Sequence, residues 1–124
     1  MNESTSAALR TALAYYEAWT GHDFDRAMTF VADDVICDAP AGKIVGAQAF
    51  QAFMGPFSQL VVESSIVAAF GDDTTALLMY DTSTGAVPNA PGAEHLTVVD
   101  GAITHIKIIF DRQPFTEARQ RAGS

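Results

Sequence analysis

The chain is poor in cysteine, in basic side chains and in long apolar runs, and each shortage removes a class of function. Its single cysteine, Cys37, excludes an internal disulfide and predicts a cytoplasmic setting. Seven Lys and Arg against fifteen Asp and Glu give a formal net charge of −8. Such a surface repels phosphate backbones and anionic lipid, so neither nucleic acid nor a membrane is expected as a partner. Only Arg10, Arg26, Lys43 and Lys107 precede the last thirteen residues, and they form no basic stripe. Apolar runs such as Ile66–Phe70 fall far short of the ~20 residues that a transmembrane helix needs. The first residues show no basic start followed by an apolar run, which predicts no secretory signal. The glycines match no phosphate-binding spacing and the His, Cys, Asp and Glu residues no metal-ligand spacing, so neither cofactor nor metal is expected.

What remains is the material of one globular domain spanning residues 1–124, with 48% hydrophobic and 18% charged residues. Residues 4–20 read as a helix, capped by Ser4, Thr5 or Ser6 and stopped at Gly21. Its apolar arc is wide, with Ala8, Ala12, Tyr15 and Trp19 on one face and Leu9, Leu13 and Tyr16 beside it. Asp23 can cap a short second helix over 24–32. A strand is expected over 34–38, then a third helix over 46–54 that Gly55-Pro56 breaks or kinks. Beyond it the pattern turns to β, with strands over 60–70 and 74–82, a loop over 83–92 and two final strands. Residues 115–124 read as a polar, frayed tail, so the ordered core is about 6–115. Helices first and an antiparallel sheet afterwards make the fold class α+β.

The direction of Glu94 depends on the turn at Asp100-Gly101. With a two-residue turn, Val99 pairs with Ala102 and Glu94 lies opposite Lys107, a surface ion pair worth ~0.2–1 kcal/mol. With a three-residue loop, Val98 pairs with Ala102, Leu96 with Thr104 and Glu94 with Ile106. The second register puts Glu94, Leu96, Val98, Ile106, Ile108 and Phe110 on one apolar face. It sets His95 opposite His105 on the other face, together with Ile103 and Ile109. It is the preferred reading, because a one-residue slip is penalised once one face is buried. Glu94 is then expected to be partly protonated or hydrogen-bonded.

The segment Tyr15-Tyr-Glu-Ala-Trp-Thr-Gly-His-Asp-Phe-Asp25, then Phe30-Val-Ala-Asp-Asp-Val35, then a helix opening at Gly46, resembles the nuclear transport factor 2-like superfamily. Its small enzymes include ketosteroid isomerase and the SnoaL-like polyketide cyclases. The resemblance implies a conical barrel, in which a strongly curved antiparallel sheet wraps three N-terminal-half helices around an internal apolar pocket. It also implies a homodimer through the outer face of the sheet. Carried over by position, Tyr15 falls on the isomerase's oxyanion-donating tyrosine, and Glu94 on its second donor, an aspartic acid kept neutral. The isomerase base stands immediately before a proline. Here the order is Asp38-Ala39-Pro40, which turns Asp38 to the other face unless a slip or β-bulge restores it.

Two functions are consistent with these residues. One is a cofactor-free acid/base enzyme, isomerase or cyclase in type, acting on a small apolar carbonyl or polyketide-like substrate. Its catalytic candidates are Glu94, Tyr15 and Asp38, and its ligand-binding candidates are Trp19, Phe53, Met54, Phe57, Met79, Leu96, Ile106 and Phe110. The other is a non-catalytic dimeric protein that binds a small hydrophobic molecule. Asp111 and Arg112 are candidates for an ion pair at the rim.

Overall fold

Alternation with a period of two runs cleanly through the middle of the chain, and it builds the wall on which the candidate site stands. The computed structural model describes residues 6–122. In chain order these form α1 (Ala7–Thr20), α2 (Phe24–Met28), β1 (Val31–Ala39), β2 (Gly42–Val45), α3 (Ala47–Leu60), β3 (Val61–Gly71), β4 (Thr75–Thr84), β5 (Ala90–Val99), β6 (Ala102–Phe110) and α4 (Gln113–Ala122). The strands make one strongly curved sheet in the order β2-β1-β6-β5-β4-β3. It is mixed rather than purely antiparallel, because β1 runs parallel to β6. The connection from β1 to its neighbour β6 spans most of the domain, which allows a parallel pairing that no hairpin can make.

On β4, Ala76, Leu78, Tyr80, Thr82 and Thr84 are buried, and on β5 so are Ala90, Gly92, Glu94, Leu96 and Val98. The residues between them are half-buried or exposed, so each strand has one inner and one outer face. Against the inner face lies α1, whose buried Ala8, Ala12, Tyr15, Tyr16 and Trp19 recur at helical spacing. Ser4 and Thr5, two of its expected caps, lie outside the described residues. The Ser6 side chain makes no capping bond. The β3–β4 turn caps the helix instead: Ala7 N–H donates to Asp73 Oδ1 at 3.1 Å and Ala8 N–H to the Asp72 carbonyl at 3.1 Å. Asp23 does cap α2, accepting from the Arg26 N–H at 3.2 Å.

Three local expectations are corrected. The second helix stops at Met28, because Val31 already points into the core as the first residue of β1. The third helix passes through Pro56 and continues to Leu60. A proline inside a helix costs about 3 kcal/mol, and tertiary contacts hold this last turn in place. Ser58, fully buried, donates its hydroxyl to the Trp19 carbonyl at 2.6 Å, and the Phe57 ring lies 6.1 Å from that of Trp19. Finally, the expected tail contains α4, anchored by Phe115 against Phe57 and Phe110 at ring distances of 6.0 and 5.8 Å. Gly123 and Ser124 lie outside the described residues.

The β5–β6 hairpin follows neither expected register throughout. Asp100 and Gly101 both have positive φ, 50° and 80°, as a two-residue primed turn requires, and Val99 pairs with Ala102. A shift between Thr97 and Val98 then moves the partners by one, so Leu96 faces Ile106 and Glu94 faces Ile108. The bulge restores the apolar face that the two-residue turn alone would have scrambled. His95 therefore pairs with Lys107 rather than His105. Ile103, expected outside, is fully buried, while Ile109 stays outside.

Candidate active site

Parity decides the chemistry of β4 and β5. Inner positions two apart on neighbouring strands bring Tyr80 and Glu94 together, since Leu78 pairs with Glu94 and Tyr80 with Gly92. The Tyr80 hydroxyl donates to Glu94 Oε2. Glycine at 92 permits this, because a Cβ there would stand 3.1 Å from the Tyr80 ring. The ring is further held between Tyr16 and Trp19, at centroid distances of 5.4 and 5.6 Å.

Glu94 is 0% exposed, and its Oε1 has no hydrogen-bond partner among the described residues. Burial without a counter-charge disfavours the carboxylate and pushes its pKa from 4.5 to about 7, against the opposing pull of the Tyr80 hydrogen bond. Burial likewise pushes the Tyr80 and Tyr15 phenols well above their ordinary value, with the nearby Glu94 charge adding to both. The Cys37 thiol is raised to about 12 by burial and then by Glu94, which makes it inert rather than nucleophilic. Tyr15 Oη and Trp19 Nε1 are also buried without partners among the described residues.

A cavity of about 430 Å³ opens on this polar spot, within the range of roughly 300–1,000 Å³ typical of small-molecule sites. Helix α3 contributes Phe53, Met54, Phe57 and Leu60 to its walls. The sheet contributes Tyr80, Thr82, Gly92, Glu94, Ile108 and Phe110. Phe115 of α4 closes one side, with Arg112 and Arg119 beside it. Among the described residues Glu94 is the only acidic one in the lining. Among the described residues no group of His, Cys, Asp and Glu is arranged to hold a metal ion.

A SnoaL-like domain model matches residues 12–106, most of the chain. The chain belongs to the SnoaL-like family. A crystal structure from Kribbella flavida is 63% identical, with a TM-score of 0.92 over 94% of this chain and 97% of that one. A nuclear transport factor 2-like protein of unknown function from Cytophaga hutchinsonii superposes with a TM-score of 0.76 at 18% identity, covering 94% and 99% of the two chains. A candidate SnoaL-like polyketide cyclase from Shewanella putrefaciens gives a TM-score of 0.71 at 18% identity, covering 90% and 84%. No curated protein matches the chain significantly.

Within this SnoaL-like fold the expected site residues separate into four groups. Glu94, Phe53, Met54, Phe57 and Phe110 line the cavity. Tyr15, Trp19, Leu96 and Ile106 are completely buried and belong to the core rather than to the cavity wall. Met79 is on the outer face, 46% exposed, because it has the opposite parity to Tyr80. Asp38 is also outside. It accepts from Lys43 Nζ at 2.9 Å and meets His105 Nε2 at 2.8 Å, while its neighbour Cys37 takes the inward position. The irregularity in the β1–β6 pairing lies before Ile36 and does not turn Asp38 inward. At the rim, Asp111 accepts from the Gln113 N–H at 3.0 Å instead of pairing with Arg112.

Tyr80 was not among the sequence candidates. A signal for it existed: Leu77 and Met79 share their parity with charged Asp81, whereas Ala76, Leu78 and Tyr80 share theirs with Thr82. Both sets are rich in apolar residues, so the clue was a single charge.

Proposed function

We propose that the protein is a cofactor-free acid/base enzyme of isomerase or cyclase type, acting on a small apolar carbonyl compound of polyketide-like character. The observation that carries this reading is Glu94: a buried carboxyl in the lining of an apolar cavity, one oxygen held by Tyr80 and the other without a partner among the described residues. With a pKa of about 7 it exchanges a proton readily near neutrality. As the carboxylate it takes a proton from the carbon beside a substrate carbonyl; as the acid it returns that proton at another position. Tyr80 orients the carboxyl through both steps, and Tyr15 adds a buried hydroxyl close enough to feel its charge.

The test is a carboxyl-carbon NMR titration of Glu94, with and without 2-naphthol as an enolate mimic. The expected pKa is near 7 and moves when the phenol binds. A value near the free ~4.3 that ignores the phenol would end the catalytic reading.

A second reading, a non-catalytic pocket protein, is favoured by one observation: Asp38 stands outside and leaves a single carboxyl in the cavity. Glu94→Gln separates the two, since an enzyme keeps ligand affinity but loses turnover. In either case we propose a homodimer through the outer face of the sheet, where Phe70, Leu77, Met79 and Ile109 are 68, 47, 46 and 59% exposed. Sedimentation at micromolar concentration is expected to show dimers. Monomers alone would remove that assembly.

A further inference from the structure

The chain carries a net charge of −8, yet the lining of its cavity carries two arginines and one carboxyl. The carboxyl is Glu94, buried on β5; the arginines are Arg112 and Arg119, exposed at the outer side, just before α4 and near its end. Three of the seven basic residues fall between 112 and 121, so this cationic character is concentrated where the chain closes over the cavity. Among the described residues neither Arg112 nor Arg119 forms an ion pair with a carboxylate. The Arg119 guanidinium makes one long hydrogen bond, Nη2 to Thr116 Oγ1 at 3.4 Å, and among the described residues the Arg112 guanidinium makes none, although its backbone carbonyl accepts from the Thr116 N–H at 3.0 Å. The two acidic residues of the same segment are engaged elsewhere: Asp111 accepts from the Gln113 backbone, and Glu117 from the Gln113 side chain at 3.1 Å.

We propose that the ligand of this cavity carries an anionic group, a carboxylate in the simplest case, held at the outer end by Arg112 and Arg119. Its apolar ring system lies between Phe57, Phe110 and Phe115, with its reacting carbonyl end toward Glu94. The proposal rests on the pocket reading above and specifies its substrate class: an aromatic or alicyclic carboxylate, rather than a neutral hydrocarbon ketone. Two guanidinium groups with unused donors suit a planar carboxylate, which accepts two parallel hydrogen bonds from such a fork. The aromatic walls supply area without polar competition. The charge arrangement also fixes direction. An anion beside Glu94 would oppose ionisation of that carboxyl, whereas an anion at the arginines leaves it free to titrate.

The test is isothermal titration with a matched pair of probes, 2-naphthoate and 2-naphthamide, at about pH 6. There the probe carboxyl is ionised and Glu94 is largely protonated, so the two acids do not repel one another. Wild type is expected to bind naphthoate roughly tenfold more tightly than the amide at low salt, as charge-assisted contacts allow. Added salt should narrow the ratio. In the R112Q/R119Q double variant the ratio should fall to about one, with the affinity for the amide unchanged. In R112K/R119K, which keeps the charge, much of the preference should return. Equal binding of the two probes by wild type overturns the anion assignment but leaves the pocket reading standing. A preference that survives in the R112Q/R119Q variant also overturns it. If wild type binds neither probe, the pocket reading fails and takes this proposal with it.

Discussion

Glu94 and Asp38 are both carboxylates on strands of one sheet, yet they live under opposite rules. Glu94 faces inward, has a phenol for company and no cation, and is held near neutrality by burial. Asp38 faces outward between Lys43 and His105, and the Lys43 hydrogen bond, followed by that of His105, holds its carboxyl below the usual range. Neither side chain differs chemically from the other by more than a methylene. What separates them is strand parity: one residue of offset decides whether a carboxylate meets water and cations or an apolar cavity. The comparison teaches that the direction of a carboxyl's pKa shift here is set by a position on the sheet, not by a residue type.

The largest expected effect comes from removing the inner charge. Between pH 4.5 and about 7 the folded chain keeps a proton on Glu94 that the unfolded chain has released. Its folded pKa is raised, so its contribution is most favourable below 4.5 and is lost as pH rises through about 7. The gap between those values corresponds to about 3 kcal/mol. Glu94→Gln carries no such charge and can still accept from Tyr80. It should therefore be more stable than wild type by about 3 kcal/mol at about pH 8 and nearly equal to it at about pH 4. Urea unfolding at both pH values measures this. A Glu94→Gln protein that is weaker at alkaline pH would mean that the carboxylate is stabilised inside, and the contrast with Asp38 would collapse. A site that costs stability in order to hold a reactive group is what function commonly requires.

Much of this contrast was legible before any coordinates. The inward direction of Glu94 followed from the mostly apolar set Leu96, Val98, Ile106 and Ile108, and the diffuse motif around Tyr15 to Asp25 pointed to the fold. The route to Glu94 was less visible, because a primed two-residue turn and a bulge together turn Glu94, Leu96, Val98, Ile106 and Ile108 to the same face as a three-residue loop would, while bringing Ile103 inside as well. Local chemistry at Asp100-Gly101 specified the turn, whereas the bulge follows from burying Ile103 and Ile106 on one side. The misreadings share one cause. The persistence of α3 past Pro56 depends on Ser58 and Phe57 meeting Trp19, and the helix within the supposed tail depends on Phe115 meeting Phe57 and Phe110. All of these contacts except that of Phe110 with Phe115 join residues far apart in sequence, and they override local propensity. Which large apolar residue lines a cavity and which lies behind it, as with Phe57 against Trp19, is likewise set by tertiary geometry alone.

The smallest expected effect sharpens the comparison from the outer side. A carboxyl with a lowered pKa contributes stability above its unfolded value, 3.8, and loses it as pH falls through the folded one. The pH dependence that Asp38 confers therefore falls below 3.8, under the window in which Glu94 titrates. Asp38→Asn should remove that acid-side loss and barely change stability near neutrality, since the Lys43 and His105 contacts are exposed and screened by solvent. More tellingly, the Glu94 carboxyl-carbon titration in this variant should overlay that of wild type, because the two carboxylates lie on opposite faces of the sheet. If the Glu94 pKa falls when Asp38 is neutralised, the outer carboxylate has been repelling the inner one. The two would then form a single electrostatic unit, and the contrast between the inner and outer carboxylates would fail.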